Sequence, residues 1–229
     1  YILVQNSQRT QNAYGEIKAH YTAGLSASFK TDYKTALIRY RQGLNKALKT
    51  ADTTNIITGY RIIGNIFLRS GEKDSMFYYT NKAIKLAKSF NETHELAAAY
   101  IDLASQYHNN FQNDSTLFYY LESLTLFEQA KNIEGQAVVL GNLGNLFNSM
   151  EDYELAKEHI YKAIKLNKSK NNLIELSNNY NNLGIAYEET NMFDSAQWAF
   201  NKCIGINNEL GDVRSNAIAY NNVGNLSLE

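Results

Sequence analysis

Residues 140–163, LGNLGNLFNSMEDYELAKEHIYKA, contain two helical patterns in succession. Each pattern repeats apolar or small residues three or four positions apart, which is the spacing of one stripe along an amphipathic helix. The first stripe consists of Leu140, Leu143, Gly144 and Phe147, and the second of Ala156, Ile160 and Ala163. Between them stands Asp152, a residue type that caps helix N-termini. The stretch therefore predicts two helices joined by a short turn.

The same double pattern recurs along the chain at an interval of 40 residues. A small residue marks the interval, and we call it the register residue of its repeat. The register residues are Gly24, Gly64, Ala104, Gly144, Gly184 and Gly224. The chain has only 13 glycines, so five of them on one register indicate an internal repeat. In each repeat we expect the register residue on a first helix, helix A, which crosses a second helix, helix B, at close range.

Counting outward from the register residues divides the chain into five repeats with short ends. The boundaries are 1–16 for the N-terminal flank and start of the first helix, 17–56, 57–96, 97–136, 137–176 and 177–216 for the repeats, and 217–229 for a partial repeat helix. Because the chain lacks an initial methionine and stops within a sixth helix A, we expect it to be a fragment of a longer protein. The absence of proline is compatible with nearly continuous helix.

The pattern Leu143-Gly144-x-x-Phe147, followed by Tyr153-x-x-Ala156-x-x-x-Ile160-x-x-Ala163, resembles the tetratricopeptide repeat. The usual repeat has about 34 residues, so a 40-residue repeat is similar to the longer class with an extended helix B, which includes Rap-type bacterial peptide receptors. The resemblance covers residues 17–228. It implies an all-α, right-handed α-α superhelix, a tetratricopeptide solenoid, and a role in recognising proteins or peptides.

Composition argues against several other functions. The chain has 22 basic and 23 acidic side chains, and this balance provides no basic field to attract nucleic acid. No stretch reaches the roughly 18 apolar residues that span a bilayer. We therefore expect this region to contact neither nucleic acid nor membrane, and its compartment, cytoplasmic or periplasmic, stays open. The histidines lack helical metal-pair spacing and Cys203 occupies a packing position, so we expect no metal, no cofactor and no catalytic residue.

Asparagine follows the repeat register on the predicted helices A. Asn142, Asn182 and Asn222 stand two residues before the register residue, Asn65, Asn145 and Asn225 one after it, and Asn181 and Asn221 three before it. In arrays that resemble this one, these positions line the concave groove. A carboxamide is both donor and acceptor, so it can pair with a peptide unit whatever the ligand's side chain.

The asparagines therefore predict binding of an extended peptide, and Arg61 and Arg69 add candidate anchors for a carboxylate or phosphate. An alternative stays open for both groups. Asparagine is also common in predicted loops, as at Asn171 and Asn172, so its presence on helices is also consistent with compositional bias. The two arginines are equally consistent with solvated surface charges.

Aromatic residues define a second candidate surface. Tyr78, Phe118 and Trp198 share one register position on helix B, and exposed aromatic patches mark partner surfaces. The simplest use of such a surface is homodimerisation. The alternative is that the rings pack over neighbouring repeats.

We expect a non-enzymatic module that binds a protein or an extended peptide. Asp-Ser pairs near the predicted starts of three helices B, Asp74-Ser75, Asp114-Ser115 and Asp194-Ser195, resemble tetratricopeptide sensor regions of bacterial signalling proteins. This resemblance implies the sensor or interaction domain of a larger signal-transduction or transcription-regulatory protein. Two alternatives are a passive assembly or dimerisation scaffold and a helical accessory domain of a larger enzyme.

Overall fold

The computed structural model describes residues 2–226, with side chains from residue 12 onward. Within this range the chain forms eleven α-helices in tandem and no β-strand, which confirms the all-α class. The helices are α1 (Ile2–Phe29), α2 (Tyr33–Thr50), α3 (Thr53–Ser70), α4 (Lys73–Ser89), α5 (Thr93–Asn109), α6 (Asn113–Gln129), α7 (Ile133–Ser149), α8 (Tyr153–Lys170), α9 (Leu173–Glu188), α10 (Phe193–Leu210) and α11 (Val213–Leu226). Odd-numbered helices carry the register residues and are helices A, whereas even-numbered helices are helices B.

Helices A from α3 onward begin four residues ahead of the repeat boundaries drawn from the glycine spacing. They start at Thr53, Thr93, Ile133, Leu173 and Val213. Side-chain caps determine several of these starts: Asp52 accepts the backbone N–H of Asn55 at 3.1 Å, and Asn132 accepts that of Gly135 at 2.9 Å. The register residue marks a point inside helix A, so its spacing measures the repeat length but not the residue at which a repeat begins.

Four of the five register glycines, Gly24, Gly64, Gly144 and Gly184, lie where helix A crosses helix B of the same repeat. A β-carbon added at Gly144 would meet the side chain of Ile160 and lie 3.3 Å from the carbonyl oxygen of Ala156. One added at Gly64 would lie 2.7 Å from Oγ1 of Thr80. The close crossing therefore requires a small residue on helix A.

The turns follow a finer interval of 20 residues. In each turn from α1–α2 to α10–α11 one residue has positive φ, and these residues are Thr31, Ala51, Gly71, Asn91, Phe111, Lys131, Glu151, Asn171, Asn191 and Gly211. A left-handed residue after a helix lets the next backbone N–H groups bond to its last carbonyls. Because most of these residues are not glycine, the interval is hidden in the sequence.

The chain divides into two compact units, Tyr1–Gln106 and Tyr107–Glu229. In the first, the fully buried side chains of Ile57 and Ile63 on α3 pack with Met76 on α4. In the second, Leu143 and Leu183 on helices A are fully buried, as are residues of α8 and α10 at the glycine crossings. Within residues 2–226, no helix combines the length and apolar character that crossing a membrane requires.

Candidate functional site

Two pairs of successive helices A, α3 with α5 and α9 with α11, are joined by side chains at the same two register positions. The residue three before the register residue on one helix A bonds to the residue two before it on the next. Between α3 and α5, Nη1 of Arg61 donates to Oδ2 of Asp102 at 3.1 Å. Between α9 and α11, Nδ2 of Asn222 donates to Oδ1 of Asn181 at 3.0 Å. The polar face of helices A is therefore cross-linked by its own side chains.

In the first unit this face holds a buried cluster of opposite charges. The guanidinium Nε of Arg61 lies 3.7 Å from Oε2 of Glu95, which also accepts the hydroxyl of Thr58 at 3.0 Å. Nδ2 of Asn65 donates to Oδ1 of Asp102 at 2.9 Å. Both carboxyl residues are only 8% exposed. Burial raises the pKa of Asp102 above its ordinary value, and Arg61 offsets part of that rise.

This cluster bears on the prediction that Arg61 anchors a ligand, which stays a prediction. The guanidinium is bonded to Asp102 and the side chain is 23% exposed, so a ligand at Arg61 would compete with that carboxylate. Asn65 also bonds to that carboxylate. Arg69 lies exposed in the last turn of α3, outside the cluster. Sequence reasoning missed the pairing because Arg61 and Asp102 belong to different repeats, 41 residues apart.

In the second unit the same face opens into a pocket of about 280 Å³. Helices α7 and α9 form its walls, and residues of α10 and α11 complete it. Its lining consists of Gly141, Asn142, Asn145, Glu175, Ser177, Asn178, Asn179, Asn181, Asn182, Cys203, Ser215 and Ile218. Four of the predicted peptide-binding asparagines, Asn142, Asn145, Asn181 and Asn182, are thus brought together.

The remaining predicted asparagines lie elsewhere. Asn222 is connected to the pocket through its bond to Asn181, whereas Asn221 and Asn225 are exposed on α11 and outside the lining. Asn65 belongs to the first unit and takes part in its charge cluster. The structure therefore groups half of the predicted set of eight.

Gly141 accounts for the opening. It lies three residues before the register residue of α7, the position from which Arg61 on α3 and Asn181 on α9 reach the next helix A. Glycine has no side chain to make that bridge. A β-carbon at Gly141 would lie 2.6 Å from Oδ1 of Asn179, so glycine also allows this amide to approach α7 closely.

Asn179 is a functional candidate that sequence reasoning missed. It is only 2% exposed, yet its Nδ2 has no hydrogen-bond partner among the described residues. Leaving a buried donor unpaired costs about 1–3 kcal/mol, so the group is suited to donate to an incoming acceptor. The equivalent residues on other helices A are Ala19, Gly59, Ala99, Val139 and Ala219. An asparagine at a register position that otherwise holds small or apolar residues was the sequence signal that could have identified Asn179.

The floor of the pocket is a buried polar cluster between α9 and α10. Oγ of Ser177 donates to Oδ1 of Asn207 and lies 3.2 Å from Sγ of Cys203. Nδ2 of Asn207 donates to the same sulfur at 3.4 Å. Burial raises the pKa of the Cys203 thiol, which keeps it protonated at neutral pH. The cysteine is thus a packing residue, as its register position predicts.

A side-chain to backbone bond holds the two walls together. Nδ2 of Asn148 on α7 donates to the carbonyl oxygen of Asn182 on α9 at 2.9 Å. The side chain of Asn182 lines the pocket while its backbone is tied to α7. Within residues 12–226 no group of three or more His, Cys, Asp and Glu side chains is placed to hold a metal ion.

The aromatic residues of helix B remain partly exposed. Tyr78, Phe118 and Trp198 expose 60%, 56% and 45% of their surface. Each also contacts another ring: Tyr78 lies edge-on to Tyr79 and Trp198 edge-on to Tyr180. The rings therefore combine local packing with exposure, and a dimer interface stays a prediction.

Residues 135–209 match the family model described as tetratricopeptide repeat. The comparison with curated protein sequences finds no match. The crystal structure of BtubC (BKLC) from P. vanneervenii is similar to this chain. The two sequences are 18% identical, and the TM-score is 0.65 over 91% of this chain and 93% of that one.

Two further similar structures are longer than this chain. Aspartyl phosphate phosphatase F from Bacillus subtilis is 16% identical, with a TM-score of 0.75 over 96% of this chain and 57% of that one. NprR in complex with its cognate peptide NprX is also 16% identical, with a TM-score of 0.69 over 92% of this chain and 61% of that one. At these identities the likeness concerns the fold. Residues 135–209 therefore consist of tetratricopeptide repeats, and the chain has the tetratricopeptide-repeat fold, as its glycine register predicts.

Proposed function

We propose that the chain binds an extended peptide or protein segment along the asparagine-bearing face of α7, α9 and α11. The observation that carries the proposal is the buried, unpartnered Nδ2 of Asn179 in a pocket lined by further asparagines. A peptide carbonyl supplies the acceptor that this donor lacks. The carboxamides of Asn142 and Asn182 then pair with neighbouring N–H and C=O groups of the ligand.

The size of the pocket favours a ligand that lies mostly outside it. A volume of about 280 Å³ lies just below the range for small-molecule sites, which is roughly 300–1,000 Å³. One ligand residue enters, and the adjoining residues rest on exposed side chains such as Asn145 and Asn178. Recognition would combine backbone pairing, which tolerates many sequences, with selection at one position.

The similarity in fold to a peptide-binding protein also supports a regulatory role for peptide binding. NprR, which has this fold, is described in complex with a peptide. By that analogy, and by the resemblance of the repeats to bacterial sensor regions, we propose that this chain is the sensor or interaction domain of a larger signal-transduction or transcription-regulatory protein. The helices would contribute recognition and not chemistry.

Selection from a phage-displayed random dodecapeptide library on the immobilised chain tests the proposal. We expect selected peptides to bind the unmodified protein and to lose affinity for Asn179→Ala. Asn201→Ala, on the exposed face of α10 and outside the pocket, is the matched control and should bind normally. Failure to select any peptide, or equal binding by Asn179→Ala, would contradict the proposal.

A passive dimerisation scaffold is the second candidate, and the exposure of Tyr78 and Phe118 favours it. Light scattering decides between a monomer and a dimer. A dimer that becomes monomeric in Phe118→Asp would support the scaffold. A monomeric unmodified protein would remove it.

A further inference from the structure

We propose that the pocket selects a cationic group of the bound peptide, an ammonium or guanidinium that pairs with the carboxylate of Glu175. The inference rests on the proposed function and adds the chemical class that the pocket accepts. Its main support is the ion pair that the equivalent carboxylate forms in the first unit of the chain.

The template is the pair formed by Glu95 on α5 and Arg61 on α3. Glu95 lies nine residues before its register residue and faces the guanidinium of Arg61 at 3.7 Å. Arg61 in turn lies three residues before the register residue of the preceding helix A. In the first unit, therefore, a carboxylate at this position is neutralised by a cation from the neighbouring helix.

Among the described residues, the second unit keeps the carboxylate and lacks the cation. Glu175 on α9 occupies the register position of Glu95, 80 residues later. The position equivalent to Arg61 is Gly141, and the pocket opens at that point. A basic group of a bound ligand would thus occupy the position beside Glu175 that Arg61 occupies beside Glu95 in the first unit.

The carboxylate of Glu175, in the first turn of α9, does not form a capping box with the N-cap residue. A glutamate in this position often accepts the backbone N–H of the N-cap residue, forming a capping box. Here the N-cap is Asn172, and its N–H donates to the carbonyl oxygen of Asn167 at 3.0 Å. Among the described residues that line the pocket, Glu175 alone carries a formal charge. Its surroundings are amides and hydroxyls, so an anion would be repelled and a cation attracted.

The spacing on α9 defines what a ligand must present. Glu175, Asn178, Asn179 and Asn182 follow one face at the helical intervals of three, four and seven residues. Residues one turn apart on a helix have β-carbons about 5–6 Å apart. The ligand therefore needs an acceptor for Nδ2 of Asn179 and a cation roughly one helical turn away. A lysine or arginine residue supplies both, and an N-terminal residue supplies them through its amine and a carbonyl.

Positional scanning of hexapeptides distinguishes these two sources of the cation. The probes are N-acetylated, C-amidated hexapeptides with Lys, Arg, Gln or Glu fixed at each position, together with the same set bearing free N-termini. Fluorescence anisotropy should show at least about tenfold tighter binding with Lys or Arg than with Gln at one position, the loss expected for one charge-assisted contact. A preference for free N-termini that is independent of side chain assigns the cation to the terminal amine. Equal binding of Lys, Gln and Glu peptides, with no difference between the acetylated set and the set with free N-termini, would overturn the inference.

Three variants complete the test. Glu175→Gln should weaken the cation-bearing peptides about tenfold and leave neutral ones unchanged. Glu134→Gln, a charge removal in the first turn of α7 outside the pocket, should change neither. Gly141→Arg, whose new β-carbon would lie 2.6 Å from Oδ1 of Asn179, should displace that amide, fill the pocket and block peptides with and without a cation. If peptides bind but Glu175→Gln binds as the unmodified protein does, the cation inference fails and the proposed function stands. If no peptide binds at all, the proposed function fails.

Discussion

Asn179 shows what the proposed binding residue would cost the protein that carries it. The side chain is almost fully buried, its Nδ2 lacks a partner among the described residues, and asparagine is a poorer helix former than alanine. Two equivalent positions, Ala99 and Ala219, are buried and hold alanine without difficulty. The asparagine is therefore expected to reduce stability and to be retained for the ligand.

We expect Asn179→Ala to raise the free energy of unfolding by about 1 kcal/mol, because it removes an unpaired buried donor and improves helix propensity. Urea denaturation measures this change, with Asn201→Ala as the exposed control. Destabilisation by more than about 1 kcal/mol would indicate that Asn179 has a structural role.

Arg61 presents the opposite case, a charged residue that the fold requires. Removing it leaves Asp102 and Glu95 buried without their cation, and breaking a buried pair in this way costs about 3 kcal/mol or more. We expect Arg61→Ala to lose that amount in urea denaturation, while Arg69→Ala at the exposed end of α3 loses less than about 0.5 kcal/mol. Equal losses would show that the cluster contributes nothing.

These residues show how far a single sequence reaches. Asn142, Asn145, Asn181 and Asn182 were predicted as binding residues because a residue type repeated on a known register. Asn179 was not singled out because asparagine occurs only once at its register position, and the pairing of Arg61 was not foreseen because its partner lies on another repeat. Periodicity identifies a face of a helix. It does not show which side chains on that face already satisfy one another.

At the scale of the helices, the glycine spacing located the crossings between helices but not the turns that connect them. The glycine spacing located the crossings of helices A and B correctly, since added β-carbons at Gly144 and Gly184 meet helix B. It did not locate the starts of helices A. It also did not locate the left-handed turn residues, because eight of the ten positive-φ positions among the described residues are not glycine. Backbone hydrogen bonds stabilise those turns and leave little trace in composition.

Gly144→Ala and Gly205→Ala test the crossing with one chemical change. At Gly144 the new methyl group meets Ile160, and we expect a loss of about 1–3 kcal/mol through overpacking. At Gly205 on α10 no described atom lies within 4 Å of the added carbon. There alanine should gain about 0.5–1 kcal/mol through helix propensity. Changes of the same sign in chemical denaturation would contradict the account.

On the scale of the whole molecule, the two units use the same face of helices A differently. In the first unit the face is closed by charges of the chain itself. In the second, Gly141 leaves a pocket beside the carboxylate of Glu175, which has no ion-pair partner among the described residues. The repeat pattern predicted the tetratricopeptide fold and an asparagine-bearing face. It did not predict where that face opens, because the opening depends on one missing side chain.

Hydrogen exchange should show this division directly. With a selected peptide bound, we expect slower amide exchange in α7, α9 and α11, because binding suppresses local opening of the helices contacted. Exchange in α3 should stay unchanged. Protection that is strongest in α3 would place the ligand in the other unit.

Calorimetric titration of a selected peptide into the unmodified protein and into Asn182→Ala measures whether the asparagine-bearing face binds a peptide backbone. We expect binding to one site and a loss of about 1–3 kcal/mol of binding free energy in the variant, because a peptide group is left unpaired, with the thermal midpoint of unfolding almost unchanged. Equal affinity of the two proteins for the peptide would contradict this expectation.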